Sequence, residues 1–320
     1  MPFTGWLIVQ NGSRRVGIVA IFAYCLILPV IPFMPGFSGL AFIFFMMGIT
    51  AGMLDVSMNA QAIMIEQQLQ KPIMTSFHAL FSIGMGMGAL TGALFITLKS
   101  SLFIHFTMIA VLCVCAAAWA CSYFVIDKPK EKSKEEQIFR LPHGAMIGIG
   151  VIAFCSMLGE GAMVDWSTNY MEHIAGAGAV LAPMALASFS LAMTIGRLFG
   201  DSARTKFGDR MLMIFCGLAA SLGMSLAIIF TQPYAVIAEF FVVGLGLSVI
   251  VPIAYSIAGN TQGLPSSVGL AMVTTIGYTG FLFGPPIIGF LADWQTLRLA
   301  LMLVVVLFVI MTALSVRYQR

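Results

Sequence analysis

Apolar runs of twenty or more residues, separated by short polar or Pro/Gly-marked turns, recur along the whole chain. They lie near residues 16–34, 37–66, 74–98, 101–126, 143–171, 179–203, 211–231, 233–259, 266–291 and 296–317. A helix needs about 20 apolar residues to cross roughly 30 Å of hydrocarbon, so the pattern predicts ten membrane-spanning helices. Turns such as Pro35-Gly36 and Lys99-Ser100-Ser101 are too short to join anything but antiparallel neighbours. Residues 127–141 break the pattern with the one long charged stretch, which divides the spans four plus six. The expected organisation is a first bundle over 1–126, a cytoplasmic linker over 127–141 and a six-helix bundle over 142–320.

Composition changes the picture in one respect, by excluding a soluble protein. The chain of 320 residues is 60% hydrophobic and 9% charged, with a mean hydropathy of +0.99. Soluble domains carry roughly 25% charged residues, so the covering solvent here is lipid. A net charge of +3 gives no argument for nucleic acid. The six cysteines sit inside apolar runs without a metal or disulfide spacing, so no metal or cofactor is expected.

The positions of the basic residues are more telling than their sum. With a cytoplasmic N-terminus, Arg14, Arg15, Lys71, Lys128, Lys130, Lys132, Lys134, Arg140, Arg197, Arg204, Lys206, Arg210, Arg317 and Arg320 fall inside, and Lys99 and Arg298 outside. Cytoplasmic loops retain positive charge, so this asymmetry supports both the orientation and the span count. Residues 1–10 have their arginines after the apolar stretch, the reverse of a secretory signal.

An internal repeat accounts for the four-plus-six division. The stretch Gly5-Trp-Leu-Ile-Val-Gln-Asn-Gly12-Ser-Arg14-Arg15 returns loosely as Gly200-Asp201-Ser-Ala-Arg204-Thr-Lys206-Phe-Gly208-Asp209-Arg210, an offset of 196 from Gly12 to Gly208. The row Gly84, Gly88, Gly92 has counterparts in Gly280, Gly284 and Gly289, the first two at the same offset of 196. The second copy opens near residue 143, so that offset sets the expected start of the first about 53 residues ahead of Met1. Two spans are therefore expected in front of the chain.

A basic Gly-containing loop repeated in two bundles around a charged linker resembles the major facilitator superfamily of secondary transporters. The series Gly52-Met-Leu-Asp55-Val-Ser-Met-Asn59, Glu66, Ser76-Phe-His78-Ala-Leu-Phe81-Ser82-Ile-Gly84, Gly159-Glu160, Asp165-Trp166 and Tyr170 is similar to its sugar-permease branch, which includes fucose permease. The loop departs from the family form at Val9 and Gln10, where an acidic and a basic residue are expected. Phe44 stands four residues before Gly48, where many drug-proton antiporters carry arginine, which counts against drug efflux. The resemblance implies an all-α membrane fold of two pseudo-symmetric helix bundles, with ten of twelve spans present. It further implies a monomer in the bacterial inner membrane, both termini cytoplasmic, carrying a sugar or similar small polar solute with a proton as coupling ion.

An ionisable side chain inside a span costs at least ~2.5 kcal/mol, so each one demands an explanation. Asp55, Asn59 and Glu66 fall within roughly 40° of one another on a helix and share a face. Glu66 lies roughly 16 Å further toward the cytosol. Asp55 is a candidate for proton or hydroxyl binding, or alternatively an inner-gate partner of Arg14 or Arg15. Glu160, between Gly159 and Gly161, is the corresponding candidate in the second bundle. Asp165 with Asn169, and Trp166 with Tyr170, form further i, i+4 faces suited to sugar hydroxyls and sugar rings, or to an interfacial aromatic belt. His78, at the inner end of the third span, is a relay candidate or an interfacial hydrogen-bonder.

For gating, Gly12, Arg14, Arg15, Arg197, Asp201 and Gly284 are singled out. Arg197 and Asp201 are spaced to pair with each other, and Gly196 and Gly200 allow a neighbouring helix to come close. Gly36-Phe37-Ser38-Gly39 matches an intramembrane serine-protease tetrapeptide, but it lies in an outer turn with no positioned histidine, and no His-Glu-x-x-His motif exists. An enzyme is therefore not expected. The remaining alternatives are an efflux antiporter and a shortened chain that binds without translocating.

Overall fold

The computed structural model describes residues 1–127, 145–178 and 180–318, except the side chains of Ala89, Ala93 and Ala145. The linker beyond Asp127, with its basic residues, His143 and Arg320 lie outside the described residues.

The described residues are helical in every expected span. In order the elements are α1 (Pro2–Asn11), α2 (Ser13–Ile27), a 3-10 turn (Leu28–Phe33), α3 (Gly36–Leu69), α4 (Met74–Thr97) and α5 (Leu102–Cys121). They continue with α6 (Ala145–His173), α7 (Pro183–Phe207), α8 (Asp209–Ile229), α9 (Pro233–Leu247), α10 (Ile250–Gly259), α11 (Ser266–Trp294), α12 (Leu297–Ala300) and α13 (Met302–Arg317). Among the described residues nine stretches are long and apolar enough to cross a bilayer. The tenth expected span is α7, also 25 residues long, which carries Arg197, Asp201, Arg204 and Lys206 in its second half. Large apolar side chains such as Phe42, Phe45, Phe199 and Phe290 are exposed, as lipid-facing residues must be in a chain with so little charge.

Prolines explain where spans depart from regular helix. Pro29 and Pro32 lack the N–H that an α-helix needs, and the end of the first span tightens into a 3-10 turn. Pro252 acts on the span Pro233–Gly259, which is interrupted between α9 and α10. A proline cannot donate to the carbonyl four residues back, so the Ser248 carbonyl oxygen lacks the helical donor that residue 252 would otherwise supply.

The helices form two compact units. The first comprises Met1–Leu69, Gly84–Leu141 and Gly259–Ala271, and the second Gln70–Ile83, Pro142–Ala258 and Met272–Arg320. In the first, α2 packs on α3 and α5, and α1 packs on α2 and α3. In the second, α9 packs on α7 and α8, and α13 on α6 and α8. Small residues set these distances. A Cβ on Gly244 would overlap the carbonyl of Phe189, and one on Gly246 would come within 2.6 Å of the Ala220 nitrogen, so α9 sits directly on the backbones of α7 and α8.

The repeat is visible in the backbone. Gly12 joins α1 to α2 with φ 82° and ψ 149°, and Gly208 joins α7 to α8 with φ 76° and ψ 159°. Each donates its N–H to the carbonyl four residues back, Ile8 and Arg204 respectively, at 2.8 Å. The glycine rows are not used alike. A Cβ on Gly280 or Gly284 would press on Phe154 or Leu158 of α6, the close packing expected of Gly284, whereas Gly84 and Gly88 face open space.

Candidate functional site

The polar residues of the second unit converge on Arg197. Its position on α7 is fixed by two glycines: a Cβ on Gly196 would overlap Ser248, and one on Gly200 would lie 2.7 Å from both Thr75 and Val249. This close approach brings the guanidinium to the break after α9, where its Nε donates to the carbonyl oxygen of Ser248 at 3.4 Å. The acceptor is the one to which Pro252 cannot donate. Nη1 donates to Ser82 Oγ of α4 at 2.6 Å, and Nη2 meets Glu160 Oε1 of α6 at 3.4 Å. The side chain of Arg197 is 5% exposed and that of Glu160 17%. Two of the singled-out residues thus form one ion pair, buried on the Arg197 side and half-buried on the Glu160 side.

This arrangement corrects one expectation and adds residues to the site. Arg197 does not pair with Asp201, four residues on. Asp201 instead accepts from the backbone N–H groups of Thr75 at 3.0 Å and Ser76 at 2.8 Å, and from Ser76 Oγ at 2.6 Å. These N–H groups open α4 and have no partner within the helix, so a carboxylate there satisfies them and complements the helix dipole. Ser82 and Ser248 carry no ionisable group, so the cost of charge in lipid does not single them out. Their signal in the sequence is weak, a hydroxyl one turn after His78 and a serine four residues ahead of an in-span proline. His78 itself lies edge-on to Tyr255, with ring centroids 5.8 Å apart, and its Nε2 is shut off from solvent without a hydrogen bond.

The two aromatic candidates of α6 differ in exposure, Trp166 being half-buried and Tyr170 buried. Tyr170 is fully buried and donates its hydroxyl to the carbonyl of Ala227 at 2.7 Å. The Trp166 indole Nε1 donates to the carbonyl of Pro285 at 3.3 Å. Both polar handles are spent on backbone, so these rings tie α6 to α8 and α11. Asp165 and Asn169 are exposed on the same helix.

In the first unit Asp55 and Asn59 do share a face: Asn59 Nδ2 donates to the Asp55 carbonyl at 2.9 Å and to Oδ1 at 3.1 Å. Asn59 is buried, 2% exposed. Glu66 is buried and accepts from Asn260 Nδ2 at 3.5 Å, while Gln67 Nε2 donates to Asn260 Oδ1 at 2.8 Å. Of the arginines of the first loop, Arg14 gives its backbone N–H to Asp127 at 3.2 Å, and Arg15 is exposed. Gln61, not among the candidates, spans Ser13 and Val125. Among the described residues no group of three or more metal-ligating side chains is found.

Comparison with known proteins agrees with this architecture. Residues 149–320 match the Major Facilitator Superfamily. An uncharacterised transporter of that type from Yersinia pestis is 33% identical over 302 residues, covering 94% of this chain and 78% of that one. The membrane protein MosC of Rhizobium meliloti is 28% identical, over 100% of this chain and 78% of its own length. Among solved structures, the Escherichia coli fucose:proton symporter superposes with a TM-score of 0.81 at 16% identity, covering 99% of this chain and 87% of that one. The human organic anion transporter MFSD10 gives 0.78 at 14% identity, covering 98% of this chain and 79% of its own. The chain belongs to the major facilitator superfamily of membrane transporters.

Proposed function

We propose that the protein is a proton-coupled symporter of a small polar solute, with a sugar-like hydroxylated skeleton, working by alternating access around a site that includes Glu160 and Arg197. The observation that carries this reading is the pair itself, a buried guanidinium against a half-buried carboxylate. A charged side chain inside a span costs at least ~2.5 kcal/mol, and burying two groups that apolar residues could replace marks them as functional. Glu160 is the group that takes the proton, and Arg197 is its fixed counter-charge, because guanidinium does not deprotonate in proteins. Asp55, with Asn59 folded onto it, is the second carboxylate of the proposed pathway. The fold shared with a fucose:proton symporter makes a hydroxylated solute the first class to test.

The coupled cycle requires that protonation favour loading from outside and that deprotonation favour release inside. Solute accumulation in cells or proteoliposomes should therefore collapse on addition of a protonophore. Glu160→Gln should abolish accumulation against a gradient while leaving counterflow exchange measurable. Accumulation that survives the protonophore would overturn proton coupling. Export with no uptake would favour an antiporter.

A further inference from the structure

The geometry points to a solute that carries a carboxylate, bound on Arg197 while Glu160 holds the proton, so that solute and proton cross together as a neutral pair. This rests on the symport reading above and narrows its substrate class.

The first argument is charge conservation at a buried site. With the site empty, Glu160 and Arg197 sum to zero. A proton on Glu160 removes the negative partner and leaves Arg197 charged in a region where its side chain is 5% exposed. Little solvent reaches that side chain, and an uncompensated buried charge is strongly unfavourable. A neutral solute leaves that charge in place, whereas a carboxylate restores the balance. The nearest other acid on α7, Asp201, is engaged by the first turn of α4. The remaining ionisable neighbour is His78 of α4, which lies within electrostatic reach of Arg197 and Asp201. Of the other helices packed on α6, α11 and α13 carry their charged residues, Asp293 and Arg317, at the end of the helix. Glu239 of α9 lies near Tyr170, ten residues and roughly 15 Å along α6 from Glu160. None of these supplies the missing negative charge.

The second argument is the geometry of the fork. A guanidinium engages a carboxylate most strongly through two parallel N–H bonds of about 2.8 Å. Arg197 meets a single oxygen of Glu160, at 3.4 Å, with one other Nη bond going to Ser82 and Nε to Ser248. The pair is monodentate and long, and donor capacity is left on the Nη groups. A solute carboxylate can take it up without displacing Ser82 or Ser248.

The test uses the full chain in proteoliposomes and two probes that differ only in this charge, radiolabelled D-galactose and D-galacturonate. Galacturonate should accumulate under an inwardly directed proton gradient at a rate that changes less than about twofold when a membrane potential is imposed with valinomycin, because no net charge moves. Galactose should be taken up at least about tenfold more slowly, in keeping with an unpaired buried group. For wild-type protein in detergent, galacturonate binding should weaken about tenfold per pH unit once Glu160 is ionised, as expected for one linked proton. Glu160→Gln should show no pH dependence and should bind more tightly than wild type on the alkaline side of the wild-type curve, a gain that misfolding does not produce. Arg197→Lys, which keeps the charge but loses the fork, should weaken binding.

Proton-driven, potential-sensitive accumulation of galactose without galacturonate uptake would overturn the carboxylate inference and leave the symport reading standing. Uptake of either probe without proton dependence would overturn the symport reading, and uptake of neither would overturn both.

Discussion

The two glycine loops have nearly the same backbone and entirely different wiring. Offset by 196 residues, Ile8 stands opposite Arg204, Ser13 opposite Asp209 and Ala60 opposite Ser256. In the second copy charge does the tying: Arg204 pairs with Asp209 at 2.9 Å and donates to Ser256 Oγ at 3.0 Å, and Arg210 donates to the Val316 carbonyl at 2.6 Å. In the first copy the Gln61 amide donates to Ser13 Oγ at 2.7 Å and the Val125 carbonyl at 3.1 Å, and accepts from the Val125 N–H at 2.8 Å. Asp127, following α5, accepts from the N–H groups of Ser13 and Arg14 and so caps α2 from a distance in sequence. What the duplication preserves is the positive-φ turn between two helices. How that turn is anchored has diverged, from a buried ion pair to a neutral amide clamp with a remote carboxylate.

The comparison breaks most visibly at the ion pair. Arg204 and Asp209 have side chains 4% and 9% exposed, so Arg204→Ala, which takes the guanidinium away from the Asp209 carboxylate, should cost about 3 kcal/mol. Arg204→Ile combined with Asp209→Ser installs the residues of the first copy and should recover most of that loss, since removing both charges removes the desolvation cost as well. Thermal melts of the purified variants in one detergent check this. A double variant no better than Arg204→Ala would show that the charged wiring cannot be replaced by the neutral kind.

The turns themselves come next. Both glycines occupy a backbone region that costs any other residue about 1–3 kcal/mol. A Cβ at Gly208 meets nothing within 4 Å, whereas one at Gly12 comes within 2.8 Å of Asp127 Oδ1. Gly12→Ala should therefore melt lower than Gly208→Ala, the difference reporting displacement of the Asp127 cap. Pairing Gly12→Ala with Asp127→Ala should bring the two sites closer together. Equal melting temperatures for the single variants would mean that Asp127 does not hold α2.

This contrast also shows which features were legible in the residues. The spans, the repeat and the singling out of Glu160 and Arg197 follow from helix length, a fixed offset and the cost of charge in lipid. The pairing did not follow. Arg197 and Asp201 are spaced to meet on one helix, but the tight approach at Gly196 and Gly200 turns each toward a different neighbour, and only three-dimensional structure supplies the neighbours. Trp166 and Tyr170 have a composition suited to sugar stacking, yet each finds a backbone carbonyl within reach and becomes a tie between helices. Gln61 did carry a signal: an amide in the apolar run of α3 needs partners, and it makes three hydrogen bonds. The glycine rows were misleading as equivalents, because Gly84 and Gly88 match Gly280 and Gly284 in position but lack a helix backbone against them.

The smallest expected effect sharpens the asymmetry at the helix starts. Asp201 caps the first turn of α4, and its counterpart at the offset of 196 is Gly5, which approaches the first turns of α11. A Cβ at Gly5 would lie 2.9 Å from the Ala271 Cβ and 3.3 Å from the Ser267 carbonyl, so the first copy has no room for a capping side chain. Losing a carboxylate cap costs about 1 kcal/mol. Asp201→Gly should accordingly barely lower the melting temperature, yet it should speed hydrogen exchange at Thr75 and Ser76 while leaving Ser266–Ala271 as it was. The N–H groups freed in α4 have no substitute acceptor, whereas α11 never depended on one from this position. Unchanged exchange at Thr75 and Ser76 would mean that the first turn of α4 is held by its packing against Gly200 alone, and that the two helix starts are anchored alike despite the difference between Asp201 and Gly5.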